Sequence, residues 1–137
     1  MRMKFVAFAV AAGFMLATGS AIAHHSFAAE FDSNKPLNLK GVVTKIEWSN
    51  PHTYFYMDVT GPDGKVVNWG MEMGSPNGLM RQGWTRNTMK VGDEVTVEGA
   101  QAKDGTNVGN ARAVVMVATG KRLFAASSQT DTPQQQR

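Results

Sequence analysis

The sequence predicts an all-β fold with one short helix, an OB-fold-like five-stranded antiparallel barrel. Three observations predict it. Runs rich in β-branched and aromatic residues recur along the chain, each closed by a Gly, Pro, Asn or Asp turn signal. One helix start, "SPNGLMRQGW", falls between the third and fourth runs. The order of three strands, one helix and two strands is that of a partly open five-stranded barrel.

The chain begins with an export address. Arg2 and Lys4 precede the apolar run "FVAFAVAAGFMLA", and Gly19-Ser20 leads to Ala21-x-Ala23. Residues 1–23 therefore read as a signal peptide cleaved after Ala23, with cleavage after Ala21 as the alternative. The apolar run is short for a span, which needs about 20 residues, and it lacks a stop-transfer flank. The expected location is the periplasm, with no membrane span left after processing. With no cysteine in the chain, a lipid anchor, disulfides and thiolate metal sites are all excluded.

Residues 24–36 are expected to form an N-terminal arm and residues 37–124 the OB-like domain. "LNLKGVVTKIEW" (37–48) reads as a long strand in which Gly41 suggests a bulge or bend. Asn50-Pro51 turns the chain. In "TYFYMDV" (53–59), Phe55, Met57 and Val59 alternate with Tyr54, Tyr56 and Asp58, so one set faces the core and the other faces out. "GPDG" (61–64) is a hairpin turn, and "KVVNWGMEM" (65–73) sends Val67, Trp69, Met71 and Met73 to one side. Ser75 suits the N-cap, Pro76 the first helical position and Gly83 the exit, which predicts a helix near 76–82. "MKVGDEVTVEGAQA" (89–102) turns into a fourth strand with Val95 and Val97 inward, and "NARAVVMVAT" (110–119) is the fifth. "KRLF" (121–124) adds a short edge strand. The polar residues 125–137 read as a disordered tail.

The segments "HHSFAAEFD", "KGVVTKIEWSNPH", "GSPNGLMRQGWTRNTMKVGDEVTVEG" and "AKDG…NARAV" resemble a family of small exported proteobacterial proteins, a domain of unknown function whose mature members begin His-His-Ser-Phe. The resemblance covers roughly residues 24–124. It implies an exported single domain and carries no activity.

The chain has three histidines, and two of them, His24 and His25, follow the expected cleavage site directly. After cleavage at Ala23, the α-amine and imidazole of His24 can close a chelate ring around a metal. A second imidazole, from His52 or His25, completes an all-nitrogen T-shaped site, a histidine brace. Such ligation favours Cu(II). Cleavage after Ala21 puts His24 third from the free amine, a second copper chelate motif. The plainer alternative is that His24 and His25 are a solvated start. A brace also requires "HHSF" to be tied near the start of the second strand, with Phe27 or Phe31 as anchor.

His52 belongs by parity with Tyr54, Tyr56 and Asp58; the alternative makes it a turn histidine bonded to nearby backbone. Glu47, Asn68 and Glu72 are expected on the same outer face. That face offers a second function, a metal-free module that captures a small ligand or another periplasmic protein. The plainer alternative has the tyrosines covered by another segment such as "SFAAEF". Met57, Met71 and Met73 read as core rather than as soft copper ligands. Loss of Arg2 and Lys4 brings a net charge of +3 close to neutral, and no basic cluster stands out, so nucleic acid is not an expected partner. No Ser-His-Asp order, HExxH, phosphate-cradling loop or carboxylate pair is present, so an enzyme is not expected.

Overall fold

The computed structural model describes residues 27–126. The expected signal peptide, both candidate cleavage sites, His24 and His25, and the expected tail from residue 127 lie outside the described residues. A four-residue helix α1 (Phe27–Glu30) leads into β1 (Phe31–Glu47), followed by β2 (Tyr54–Thr60), β3 (Val66–Glu72), helix α2 (Pro76–Arg81), β4 (Glu94–Ala102), β5 (Val108–Met116) and β6 (Lys121–Phe124). The strands make one sheet in the order β3-β2-β1-β4-β5-β6. Consecutive pairs in that order are antiparallel. A further parallel pairing of β3 with β5 joins the two ends, so five strands form a ring and β6 lies outside it on β5. The ring thus has the expected five strands, β6 is the short edge strand expected at 121–124, and the expected single helix becomes two.

The first strand is longer than its β-branched run. Phe31 and Asp32 already pair with Ala102 and Gln101 of β4, and pairing resumes at Pro36 after a register shift. "DSNKP" carries loop chemistry, and the Asp32 carboxylate accepts the Asn34 amide at 2.9 Å. The excursion is a bulge within a strand, so residues 31–36 belong to the sheet rather than to a separate arm. Beyond that point β1 is shared, with Leu37–Val42 pairing β4 and Val42–Glu47 pairing β2.

The bulge expected at Gly41 lies instead between Val43 and Lys45. Gly41 has a different reason to lack a side chain, because a Cβ there would meet the Asp58 carbonyl oxygen at 2.5 Å. The bulge resets parity. Val43 faces in opposite Met57, yet Lys45 pairs with Tyr56 and Glu47 with Tyr54 on the outside, while Ile46 turns in against Phe55.

Alternation on the other strands fills the ring. Phe55, Met57, Met71, Met73, Val95, Val97 and Val114 are buried in one core, as the sequence pattern expects of the first six. Helix α2 begins at its expected cap, with Ser75 Oγ accepting the Gly78 amide at 3.1 Å. It buries Leu79 into the core, and Trp84 follows, its Nε1 donating to the Phe124 carbonyl at 2.8 Å. Ala125 and Ala126, assigned to the tail by composition, are buried. The Ala125 amide donates to the Arg112 carbonyl, and its own carbonyl accepts the Gly74 amide. The folded unit therefore runs two residues past the expected boundary. Among the described residues no helix is long and apolar enough to cross a membrane.

Candidate functional site

The outer face of β1, β2 and β3 gathers the polar residues that alternation sends away from the core. Cross-strand register decides which of them meet. Tyr54 lies directly opposite Glu72, Tyr56 opposite Gly70 and Asp58 opposite Asn68. On the other side Glu47 and Lys45 oppose Tyr54 and Tyr56. Directly opposite residues on one face are near enough for their side chains to interact.

Three groups result along β2. At its start, the Tyr54 hydroxyl donates to Glu72 Oε2 at 2.6 Å, and Glu72 is only 7% exposed. Burial, the hydrogen bond to Glu72 and the charges of Glu72 and Glu30 push the Tyr54 phenol well above its ordinary value. His52 lies beside them, its Nδ1 3.2 Å from the Met73 carbonyl oxygen and 3.7 Å from Glu72 Oε1. The expected alternative of a backbone-bonded histidine is therefore met in kind, although the carbonyl is on the neighbouring chain segment rather than in the turn. In the middle, the Tyr56 ring lies across Gly70, where a Cβ would stand 3.2 Å from the ring. Lys45 Nζ sits 5.4 Å from that ring's centroid and 2.7 Å from Glu47 Oε1. The Tyr56 hydroxyl reaches Glu47 at 3.5 Å. At the far end, Asn68 Nδ2 donates to Asp58 at 2.9 Å and to Thr44 at 3.1 Å.

Of the sequence candidates, His52, Tyr54 and Glu72 come together. Tyr56 and Glu47 form a second group, and Asp58 belongs to a third at the other end of the strand. Lys45 was missed: alternation from Val43 turns it in, alternation from Glu47 turns it out, and the bulge after Val43 decides between them. Gly70 was missed as the platform under Tyr56; its pairing with an aromatic across an antiparallel ladder is a signal the hairpin register carries.

The segment leading to the expected amino terminus is anchored on β4. Phe31 is buried against Ala100 and Ala102 of β4, and Phe27 stacks on it with ring centroids 5.6 Å apart. Phe27 and Phe31 thus pack on β4. Glu30 nonetheless lies close enough to bear electrostatically on Tyr54. Among the described residues, no three His, Cys, Asp or Glu side chains converge to hold a metal ion. His52 is the one candidate ligand that is described, and it is partly exposed. Met73 and Met89 are buried beside Trp84 in the core, which suits packing rather than ligation.

Residues 13–111 match a family of unknown function, DUF6152, and the chain belongs to it. No curated protein matches the chain.

Proposed function

We propose that this DUF6152 member is an exported periplasmic protein that binds one copper ion through its processed amino terminus. We read the five-strand ring, with α2 between β3 and β4, as an OB-like barrel. The observation that carries the copper reading is the placement of His24 immediately after Ala21-x-Ala23. Cleavage there makes an amine and an imidazole available on one residue, with His52 or His25 to complete the site. His52 fits such a group in one respect: its Nδ1 faces two oxygens, the Met73 carbonyl and Glu72 Oε1. Copper would supply ligand-field stabilisation and redox capacity. The protein's part is to present nitrogen donors and to keep the second imidazole oriented. Copper handling or sensing is the role, not catalysis.

Mass spectrometry of the exported protein checks the start at His24. Cu(II) titration then compares three forms: the processed protein, a version with one extra amino-terminal residue, and His52→Ala. Affinity is expected to drop steeply in the extended version and to fall in His52→Ala. Binding also weakens as pH drops, since the ligands must be deprotonated and an ordinary α-amine titrates at about 7.7–8.0. Equal binding by the extended version overturns the brace.

A second reading is favoured by the Lys45–Tyr56–Glu47 group, which presents a ring, a cation and a carboxylate together on an open face. It makes the β1–β3 face a metal-free module for a small ligand or another periplasmic protein. Tyr54→Ala with Tyr56→Ala abolishes partner capture from periplasm on this reading; unchanged capture removes it.

A further inference from the structure

We infer that Glu72 and the Met73 carbonyl together hold His52 as its Nδ1–H tautomer, which makes Nε2 the nitrogen that takes a metal and Glu72 a positioning residue. The inference rests on the copper reading above and names the ligating atom at that site.

The argument starts from what faces Nδ1. The Met73 carbonyl oxygen, at 3.2 Å, and Glu72 Oε1, at 3.7 Å, are both acceptors. A bare lone pair on Nδ1 would point at two oxygens, so the proton belongs there. A neutral imidazole carries one N–H, which leaves the lone pair on Nε2. Metal-bound histidines commonly show this arrangement, with the second ring nitrogen donating to a carbonyl or carboxylate that fixes both tautomer and ring orientation.

Glu72 is not free to turn away from His52. Its other oxygen accepts the Tyr54 hydroxyl at 2.6 Å, and Tyr54 is its direct cross-strand partner. Its side chain is 9% exposed, so little room is left for another rotamer. The backbone on both sides is also pinned. The Thr53 amide donates to the Gly74 carbonyl at 3.0 Å, and the Met73 amide to the Thr53 carbonyl at 2.8 Å. These two bonds set His52 against Met73 before any side chain is considered. The His52 side chain is 35% exposed, so part of the ring meets solvent.

The test uses processed protein labelled with ¹⁵N-histidine, free of metal, at about pH 8, above the ordinary imidazole value of about 6.5. Long-range ¹H–¹⁵N correlation spectra read the tautomer directly. The expected result is His52 with Nδ1 protonated and Nε2 bare. A majority Nε2–H form in the wild-type protein overturns the inference without any variant. In Glu72→Gln the minor tautomer is expected to rise about fivefold, the effect of losing one charge-assisted contact. A folded Glu72→Gln protein with the wild-type ratio overturns the positioning role. Should that variant not fold, Tyr54→Phe, which unlocks Glu72, is expected to move the ratio in the same direction, and an unchanged ratio counts against Glu72 equally. Sub-stoichiometric Cu(II) is then added. Selective broadening of the His52 ring signals supports both readings. Sharp ring signals with the expected tautomer leave the tautomer standing and remove copper from His52.

Discussion

The two outer faces of the ring are both polar, yet they handle charge in opposite ways. On the β1–β3 face, Glu72 is buried and shares its two oxygens between a tyrosine hydroxyl and the His52 ring. On the β4–β6 face, Glu98 receives both Arg122 nitrogens at 2.8 Å, with Arg112 at 3.7 Å, and every side chain in the group is in contact with solvent. A buried carboxylate needs specific partners because desolvation penalises any lone pair left unmet. An exposed one is already solvated, so its ion pairs add little. Directional chemistry is therefore expected on the first face, and a soluble surface on the second.

The frame under the faces also differs from site to site, and the largest predicted effect comes from it. At Gly99, on the β4–β5 side, a Cβ would overlap the Asn110 carbonyl, which is sheet backbone. At Gly70, under Tyr56, the nearest atoms belong to a side chain that can shift by a few tenths of an ångström. Gly99→Ala is expected to cost about 3 kcal/mol or more, and Gly70→Ala under about 1 kcal/mol. Urea denaturation midpoints decide it; equal losses at the two sites would show that the sheet is no more adaptable under Tyr56 than at Gly99.

Glu72→Gln comes next. The change keeps shape but weakens the acceptor for Tyr54 and the contact with His52, at an expected cost of about 1–3 kcal/mol. The loss should persist in 1 M salt, because a buried group is screened little. Tyr54→Phe is expected to recover part of it in the double variant, since the two changes remove one shared bond. Strict additivity would break the claim that these residues act as a unit.

Much of this contrast was legible in the sequence, and the limits have physical causes. Alternation in "TYFYMDV" separates Phe55 and Met57 from Tyr54 and Tyr56 because a strand's side chains must take opposite faces. Ser75, Pro76 and Gly83 mark the ends of α2 because cap and exit chemistry is local. The start of β1 was not legible, since "DSNKP" forms the same local turn in a loop or in a bulge, and only pairing with β4 distinguishes them. Lys45 was hidden for a related reason. Strict alternation from Val43 turns it inward and alternation from Glu47 turns it out, and the register shift that decides between them is a property of two strands together. Ala125 and Ala126 sit in a polar run, but Ala125 is held by hydrogen bonds to Gly74 and Arg112, far away in sequence. The pairing of His52 with Glu72 needs the β2–β3 register, which the short "GPDG" turn fixes.

The smallest predicted effect lies on the β4–β6 face. The Arg122 hydrogen bonds, followed by the charges of Arg122 and Arg112, hold the Glu98 carboxyl below the usual carboxylate range. Its folded value is thus lower than its unfolded value of about 4.3. A group shifted in that direction contributes stability that is fully present above the unfolded value and is lost as pH falls through the folded one. Glu98→Gln should therefore lower the denaturation midpoint slightly at neutral pH, and the gap to wild type should close below about pH 4. The gap should also close in 1 M salt, where screening acts over about 3 Å. The salt response is the sharpest comparison with Glu72→Gln, whose deficit is expected to survive it. A Glu98→Gln deficit that resists salt would mean that the exposed network behaves as a buried one, and the two faces would then differ in composition but not in kind.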